Sequence, residues 1–334
     1  MLKIGILGAG FMGGTHAAAF AQLPDVQIIG ISSRSAEKAA TLAAKYGAEP
    51  FADALALATD PRVDVISNTL PTHLHKDLTI AALRAGKHVL VEKPMGLSVA
   101  ECDEMIAAAQ QSGRLLMVAH VLRFWPEYVA IADFLKTGAL GKPLAATAKR
   151  LVGPPRWSDF FLHPEWSGGG VLDLQVHDLD TLNWLFGAPK TVYARGQRSP
   201  ESGGWDLALT LVDYGDVQGF AEGSALQSPE YPFTMGLAVL CVGGSVEFTF
   251  RAGGVQVDSR DAGGSSLLVY EKGQASRPLA FQAGDGYANE AAAFVACVRS
   301  GRPPVEGTAE QGRLAVATAL AARQSIETGE VVKL

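Results

Sequence analysis

The chain has 334 residues, 48% hydrophobic and 19% charged, a balance that suits two ordinary apolar cores and excludes an intrinsically disordered protein. Its 28 Lys and Arg against 34 Asp and Glu leave a formal net charge of −6, and no basic run could track a phosphate backbone, which excludes nucleic acid as a partner. No segment approaches the roughly 20 apolar residues of a membrane span, and Cys102, Cys241 and Cys297 are too scattered for a disulfide framework or a clustered zinc site, so a reducing compartment, the cytoplasm, is expected and no metal.

Up to about residue 120, strand-like and helix-like runs alternate. The opening MLKIGILGAG reads as structure rather than a signal peptide, with a strand over 2–7 and a helix over 12–23. Between them stands Gly8-x-Gly10-x-x-Gly13, with Phe11 and Met12 inside it. Glycines there allow a tight turn, close approach of a pyrophosphate and close packing of helix on strand. The helix N-terminus then offers free N–H groups to phosphates. A second strand, 26–32, ends at Ser33 and Arg34, where an NAD-binding chain normally has a carboxylate for the ribose 2′-hydroxyl. Serine does not repel a 2′-phosphate and arginine can pair with it, so NADP is expected over NAD. The alternative is an Arg34 that only stacks on the adenine or lies in solvent.

Ser35 caps a helix towards Tyr46, and 63–68 is another strand, followed by Leu70-Pro71 and a helix from about His75 to Ala85. The strand KHVLVE ends at Glu92, Lys93 and Pro94, and crevices at such strand ends bind ligands. Lys93 there could polarise a substrate oxygen, or be a surface lysine beside a glutamate. A capping box, Ser98-x-x-Glu101, opens the next helix. The strand RLLMVAH follows, with His120 and Arg123 at its end, and either can serve a site or simply satisfy the hinge and an acidic neighbour.

After RFWPE the texture changes. One helix runs over 126–135, and strand-like runs then dominate at 144–151, 190–198, 205–213, 217–226, 234–241, 245–250 and 254–258. Only a helix at 170–186 interrupts them, and a last helix starts at the capping box Thr308-x-x-Gln311, spans about 308–328 and packs back. The fold expected is α/β: a doubly wound parallel sheet over 1–122, then an α/β domain over 123–334 with a large, mostly antiparallel, open-faced sheet. Bare faces of that kind are liabilities, which predicts a homodimer or homotetramer formed through the C-terminal sheet.

In the 170–186 helix Leu172, Val176, Leu179, Leu182 and Phe186 share one side. Asp173, His177, Asp180 and Trp184 form a second stripe, which is either a solvated face or a site. Just before it, RWSDFFLHPEW offers Arg156, Trp157, His163 and Trp166, donors and aromatic faces of the kind a sugar ring needs, or else an anchored surface loop. Tyr287 in GDGYANEAAAF is a further substrate candidate that could equally pack under the final helix.

Gly8-Ala9-Gly10-Phe11-Met12-Gly13, AGKHVLVEKP and GGGVLDLQVHDLD, with the closing SIETGEVVKL, together resemble the glucose–fructose oxidoreductase / inositol dehydrogenase / rhizopine-catabolism (Gfo/Idh/MocA) family over nearly the whole chain. The resemblance implies a Rossmann domain and NADP- or NAD-linked oxidation or reduction of a sugar or cyclic polyol. It places the catalytic lysine on Lys93, the aspartate on Asp173 and the histidine on His177, and leads one to expect a cis Lys93–Pro94 bond. On that reading the polar stripe faces the cleft between domains. The cofactor would meet Gly8, Gly10, Phe11, Met12, Gly13, Ser33, Arg34, Leu70, Pro71, His75, Glu92, Lys93 and Arg123. The substrate would meet Lys93, His120, Arg156, Trp157, His163, Asp173, His177 and Tyr287. Leu70-Pro71 stands where relatives carry Thr-Pro, which leaves backbone contacts to the cofactor there. Some relatives instead cleave glycosides through transient oxidation or act as cofactor-sensing regulators; the joint presence of Lys93, Asp173 and His177 argues against a sensor.

Overall fold

The computed structural model describes residues 1–155, 158–255 and 264–334, and the chain packs as two units, Met1–Trp125 with Gly284–Arg313 and Pro126–Ala283 with Leu314–Leu334. The first unit alternates: β1 (Leu2–Leu7), α1 (Phe11–Ala21), β2 (Val26–Ser32), α2 (Ala36–Tyr46), β3 (Glu49–Phe51), α3 (Ala54–Thr59), β4 (Val65–Asn68), α4 (His75–Arg84), β5 (His88–Glu92), α5 (Val99–Ser112) and β6 (Leu116–Ala119). Its parallel strands lie in the order β3-β2-β1-β4-β5-β6. The order turns back between β1 and β4, and in such sheets ligands bind outside the strands' carboxyl ends at that point. Side chains covered on both faces, such as Ile4, Ile6, Val65, Val89 and Leu90, explain why these strands read as continuous apolar runs.

The second unit contains α6 (Pro126–Lys136), β7 (Pro143–Leu151), α7 (Pro164–Ser167), α8 (Gly169–Asp173), α9 (Val176–Phe186), β8 (Thr191–Arg198), β9 (Trp205–Asp213), β10 (Gln218–Ser224), β11 (Thr234–Cys241), β12 (Gly244–Arg251), β13 (Gly264–Glu271) and β14 (Arg277–Pro278). The chain then forms α10 (Gly286–Ser300), α11 (Ala309–Thr328) and β15 (Val332–Lys333). Among the described residues the second sheet has the order β14-β13-β12-β11-β7-β10-β9-β8-β15, antiparallel except for β7 beside β10. Alternate residues face a core, among them Ala208, Val212, Leu237, Val239 and Val269, whereas Leu209, Leu211, Leu240 and Tyr270 on the other face are exposed. No helix among the described residues is long and apolar enough to cross a membrane.

Most helix starts are local events. Ser35 Oγ accepts the Lys38 N–H and Ser98 Oγ the Glu101 N–H. Thr308 and Gln311 form a reciprocal box, each side chain accepting the other's N–H. The structure adds β3, α3, α7, β13, β14, α10 and β15 to the elements read from the pattern. α10 starts where Asp285 Oδ1 accepts the Tyr287 and Ala288 N–H groups. It packs Ala291, Phe294 and Val295 into the core made by Ile4, Ile6, Phe20 and Leu90, so Gly284–Arg313 belongs with the first unit, whereas the sequence pattern groups 123–334 together. Of the run expected as a strand over 254–258, Gly254 and Val255 are not in a strand and 256–258 lie outside the described residues.

The single helix expected over 170–186 is corrected to two. α8 ends at Asp173 and α9 begins at Val176, because the Gly170 carbonyl accepts both the Leu174 and the Gln175 N–H groups and the turn widens. Gln175 explains the break. Its side chain is fully buried in the sheet, donating to the carbonyls of Ala208 and Ala221 at 3.0 Å each and accepting from Thr210 Oγ1 at 2.9 Å.

Candidate active site

The phosphate-binding end is built from α1. Gly10 precedes it with no side-chain cap, and a Cβ at Gly10 would meet nothing within 4 Å, so the first N–H groups of the helix border open space. That is the cradle a phosphate fills. Gly13 has a different reason to be glycine: a Cβ there would collide with the Gly8 carbonyl oxygen, because the helix packs directly on the loop. Phe11 is 51% exposed and Met12 is half-buried. At the end of β2, Ser33 Oγ accepts the Ser35 N–H at 3.1 Å, and Arg34 is exposed. These residues fit a dinucleotide.

Leu70 and Pro71 follow β4, and His75 opens α4 behind them. The His75 ring is buried, with Nε2 at 2.7 Å from the Leu70 carbonyl and Nδ1 at 3.0 Å from the Pro94 carbonyl. Only an imidazolium could donate to both. Burial lowers the His75 pKa and outweighs the two carbonyls and the Glu92 charge, so the neutral ring donates to one of them. Either way it ties the Leu70-Pro71 loop to the segment after β5, where the Lys93–Pro94 peptide is cis.

Lys93 is half-buried at the end of β5. Its backbone N–H donates to Glu92 Oε2 at 3.0 Å, and Glu92 Oε1 lies 2.9 Å from His16 Nε2. The other His16 nitrogen lies 2.8 Å from Ser67 Oγ. Burial alone would raise the Glu92 pKa; the His16 hydrogen bond first, then the charges of His16 and Lys93, reverse that and hold it below the usual value. His120 is buried just past β6, and Arg123, also buried, donates to Glu306 Oε2 at 2.8 Å. His16, Ser67 and Glu306 were not singled out from the sequence. A histidine four residues before Phe20 on the buried side of α1 is the signal that could have found the first.

In the second unit, Asp173 closes α8 and His177 lies in the first turn of α9, both half-buried, on either side of Gln175. The glycines ahead of them serve packing. A Cβ on Gly170 would come 2.9 Å from the Asp206 Cα, and the Gly170 N–H donates to Asp206 Oδ1 at 2.8 Å. Asp178 is buried and takes a bidentate pair from Arg150, while Asp180 is buried and Trp184 half-buried. The stripe of Asp173, His177, Asp180 and Trp184 is thus partly interior. His163 is half-buried, stacks on Trp166 at 4.0 Å and lies 2.8 Å from Glu165 Oε1. Tyr287, on α10 of the first unit, meets Trp125 edge-on at 6.3 Å. Arg156 and Trp157 lie outside the described residues.

A model of the oxidoreductase family with an NAD-binding Rossmann fold matches residues 2–120, and one of the GFO/IDH/MocA C-terminal domain matches residues 128–247. The chain belongs to the Gfo/Idh/MocA oxidoreductase family. This Gfo/Idh/MocA chain is 28% identical over 348 residues to a myo-inositol 2-dehydrogenase of Thermotoga maritima, across 100% of this chain and 98% of that one. It is 34% identical over 188 residues to a 1,5-anhydro-D-fructose reductase of Ensifer adhaerens, an alignment that spans 56% of that protein's length and 55% of this chain. Among solved structures, a probable dehydrogenase from Thermotoga maritima superposes with a TM-score of 0.82 at 25% identity, over 99% of this chain and 98% of that one. The protein is therefore an oxidoreductase whose first unit is an NAD(P)-binding Rossmann domain.

Proposed function

We propose that this oxidoreductase moves a hydride between NAD(P) and a secondary alcohol or ketone carbon of a sugar or cyclic polyol. The observation that carries the reading is the clamped end of β5, where Lys93 follows Glu92 beside the cofactor cradle. Asp173 and His177 on α8 and α9 supply the remaining groups the chemistry needs. The full-length similarity to a myo-inositol dehydrogenase supports a cyclic polyol. Bound NAD(P) supplies the hydride acceptor in oxidation and the donor in reduction. His177 takes the hydroxyl proton, a task suited to imidazole near neutral pH. Lys93 stabilises the developing alkoxide. Asp173 orients the imidazole or binds a neighbouring hydroxyl. His120, His163, Tyr287, Arg156 and Trp157 remain our candidates for further hydroxyl contacts.

NADP is our preferred cofactor, because Ser33 offers no carboxylate against a 2′-phosphate and exposed Arg34 can reach one. The exposed Leu209, Leu211, Leu240 and Tyr270 of the second sheet support a homodimer or homotetramer through that face. Three unpaired cysteines support a cytoplasmic setting. The test is a spectrophotometric screen of NADP and NAD against cyclic polyols, aldoses and glycosides. Cofactor reduction is expected with a polyol or sugar, and Lys93→Met and His177→Ala should each lower kcat at least roughly 10²-fold. Unchanged turnover in His177→Ala would remove that residue from the mechanism.

A further inference from the structure

The first unit holds more buried polar side chains than hydride transfer uses. His16 on α1, Ser67 on β4, Glu92 on β5 and Glu290 on α10 are 3%, 0%, 6% and 1% exposed. Glu92 is satisfied at both oxygens, by His16 at Oε1 and by the Lys93 N–H at Oε2, an arrangement that suits an anion. Glu290 is the opposite case. Its Oε1 is buried and has no hydrogen-bond partner among the described residues. Burial first, and the Glu92 charge second, push its carboxyl well above the usual range. A bare carboxylate oxygen sealed from water beside a second carboxylate is far costlier than the neutral acid. α10 packs on α1, which carries His16, and on the turn after β6, which carries His120 and Arg123, and the Glu92 charge reaches Glu290 from the end of β5. His16 is committed to Glu92 and Arg123 to Glu306, so neither serves Glu290 as a cation of its own.

We propose that Glu92 and Glu290 form a buried pair that carries one proton, seated on Glu290, and that this single-anion state keeps Glu92 on the Lys93 N–H. The pair then positions Lys93 for the hydride transfer proposed above, on which this inference rests. Glu290 touches no reacting atom; it is a positioning residue. If it ionises, two buried carboxylates repel. Glu92 has only the Lys93 N–H and His16 to give up, so the displacement passes to the lysine or the imidazole.

Glu290→Gln keeps the neutral shape and removes the titration. Infrared spectra of the intact protein, wild type minus Glu290→Gln, should show a protonated carboxylic acid at pH 7 that disappears as the pH is raised. In kcat against pH, the wild-type plateau should end about one pH unit earlier on the alkaline side than that of Glu290→Gln. Glu290→Ala, which opens a cavity, should extend the plateau in the same way while melting lower, and so separates charge from packing. A carboxylate rather than a carboxylic acid at position 290 at pH 7 overturns the proton assignment. Superimposable alkaline limbs overturn the positioning role. The infrared measurement needs no turnover, so it decides the proton even where the dehydrogenase reading fails.

Discussion

Arg150→Met tests whether the second unit depends on one buried ion pair. Arg150 on β7 donates through Nε and Nη2 to the two oxygens of Asp178 on α9 at 3.1 and 3.3 Å, with side chains 5% and 0% exposed. Methionine keeps much of the apolar stem and removes the guanidinium, which also lies over the Phe233 ring and donates to Met235 Sδ. Removing one partner of such a pair costs about 3–5 kcal/mol, because the other is left sealed from water. That is a large part of a typical domain stability of about 5–15 kcal/mol. Burial already raises the Asp178 pKa against the opposing pull of Arg150, so without the guanidinium it rises further. A carboxyl whose folded pKa lies above its unfolded value stabilises fully below the unfolded pKa, and that contribution is lost as pH rises through the folded one. The penalty in Arg150→Met should therefore be smaller at pH 5 than at pH 8. Urea unfolding followed by circular dichroism gives both values. The double variant Arg150→Met with Asp178→Asn leaves no orphaned charge and should recover at least about half of the loss. Asp178 directly follows His177, so kcat should fall with Arg150→Met as well. A penalty below about 1 kcal/mol, the scale of an exposed pair, or a double variant no better than the single one, would refute the argument.

Gly13→Ala should weaken NAD(P)H binding at least about tenfold with the fold retained, because the new Cβ needs the place of the Gly8 carbonyl; an unchanged Kd by cofactor fluorescence would remove the cradle from the argument. Replacing Ser33 by Asp and Arg34 by Ala should reverse the NADP preference. A charge-assisted hydrogen bond contributes about 1.5–3 kcal/mol, so the ratio of kcat/KM for the two cofactors should move tenfold or more, and a fixed ratio would put Arg34 in solvent.

What could be read from the sequence was what neighbours in the chain decide. Strand–helix alternation, the Ser98 cap, the capping box at Thr308 and the glycines around α1 each depend on residues within a few positions and are found where the pattern put them, although at Ser98 the Glu101 side chain takes the Leu97 N–H rather than closing the box. The polar interior was not legible, because its partners are remote: His16 and Glu92 stand 76 positions apart and Arg150 and Asp178 stand 28 apart. By the usual rule a carboxylate or amide turns to water. Glu290, one turn before Phe294 on α10, and Gln175, between α8 and α9, are buried instead. The rule fails here for a single reason. The carboxyl ends of β4 and β5, and the carbonyls of β9 and β10 beneath α8, present polar atoms that apolar side chains would leave unpaired. A helix that covers such a surface must carry polar residues on its buried side. Its periodicity therefore weakens where it lies over a site, and a broken apolar stripe ending at a glycine-rich or strand-end motif marks interior chemistry better than an intact one does.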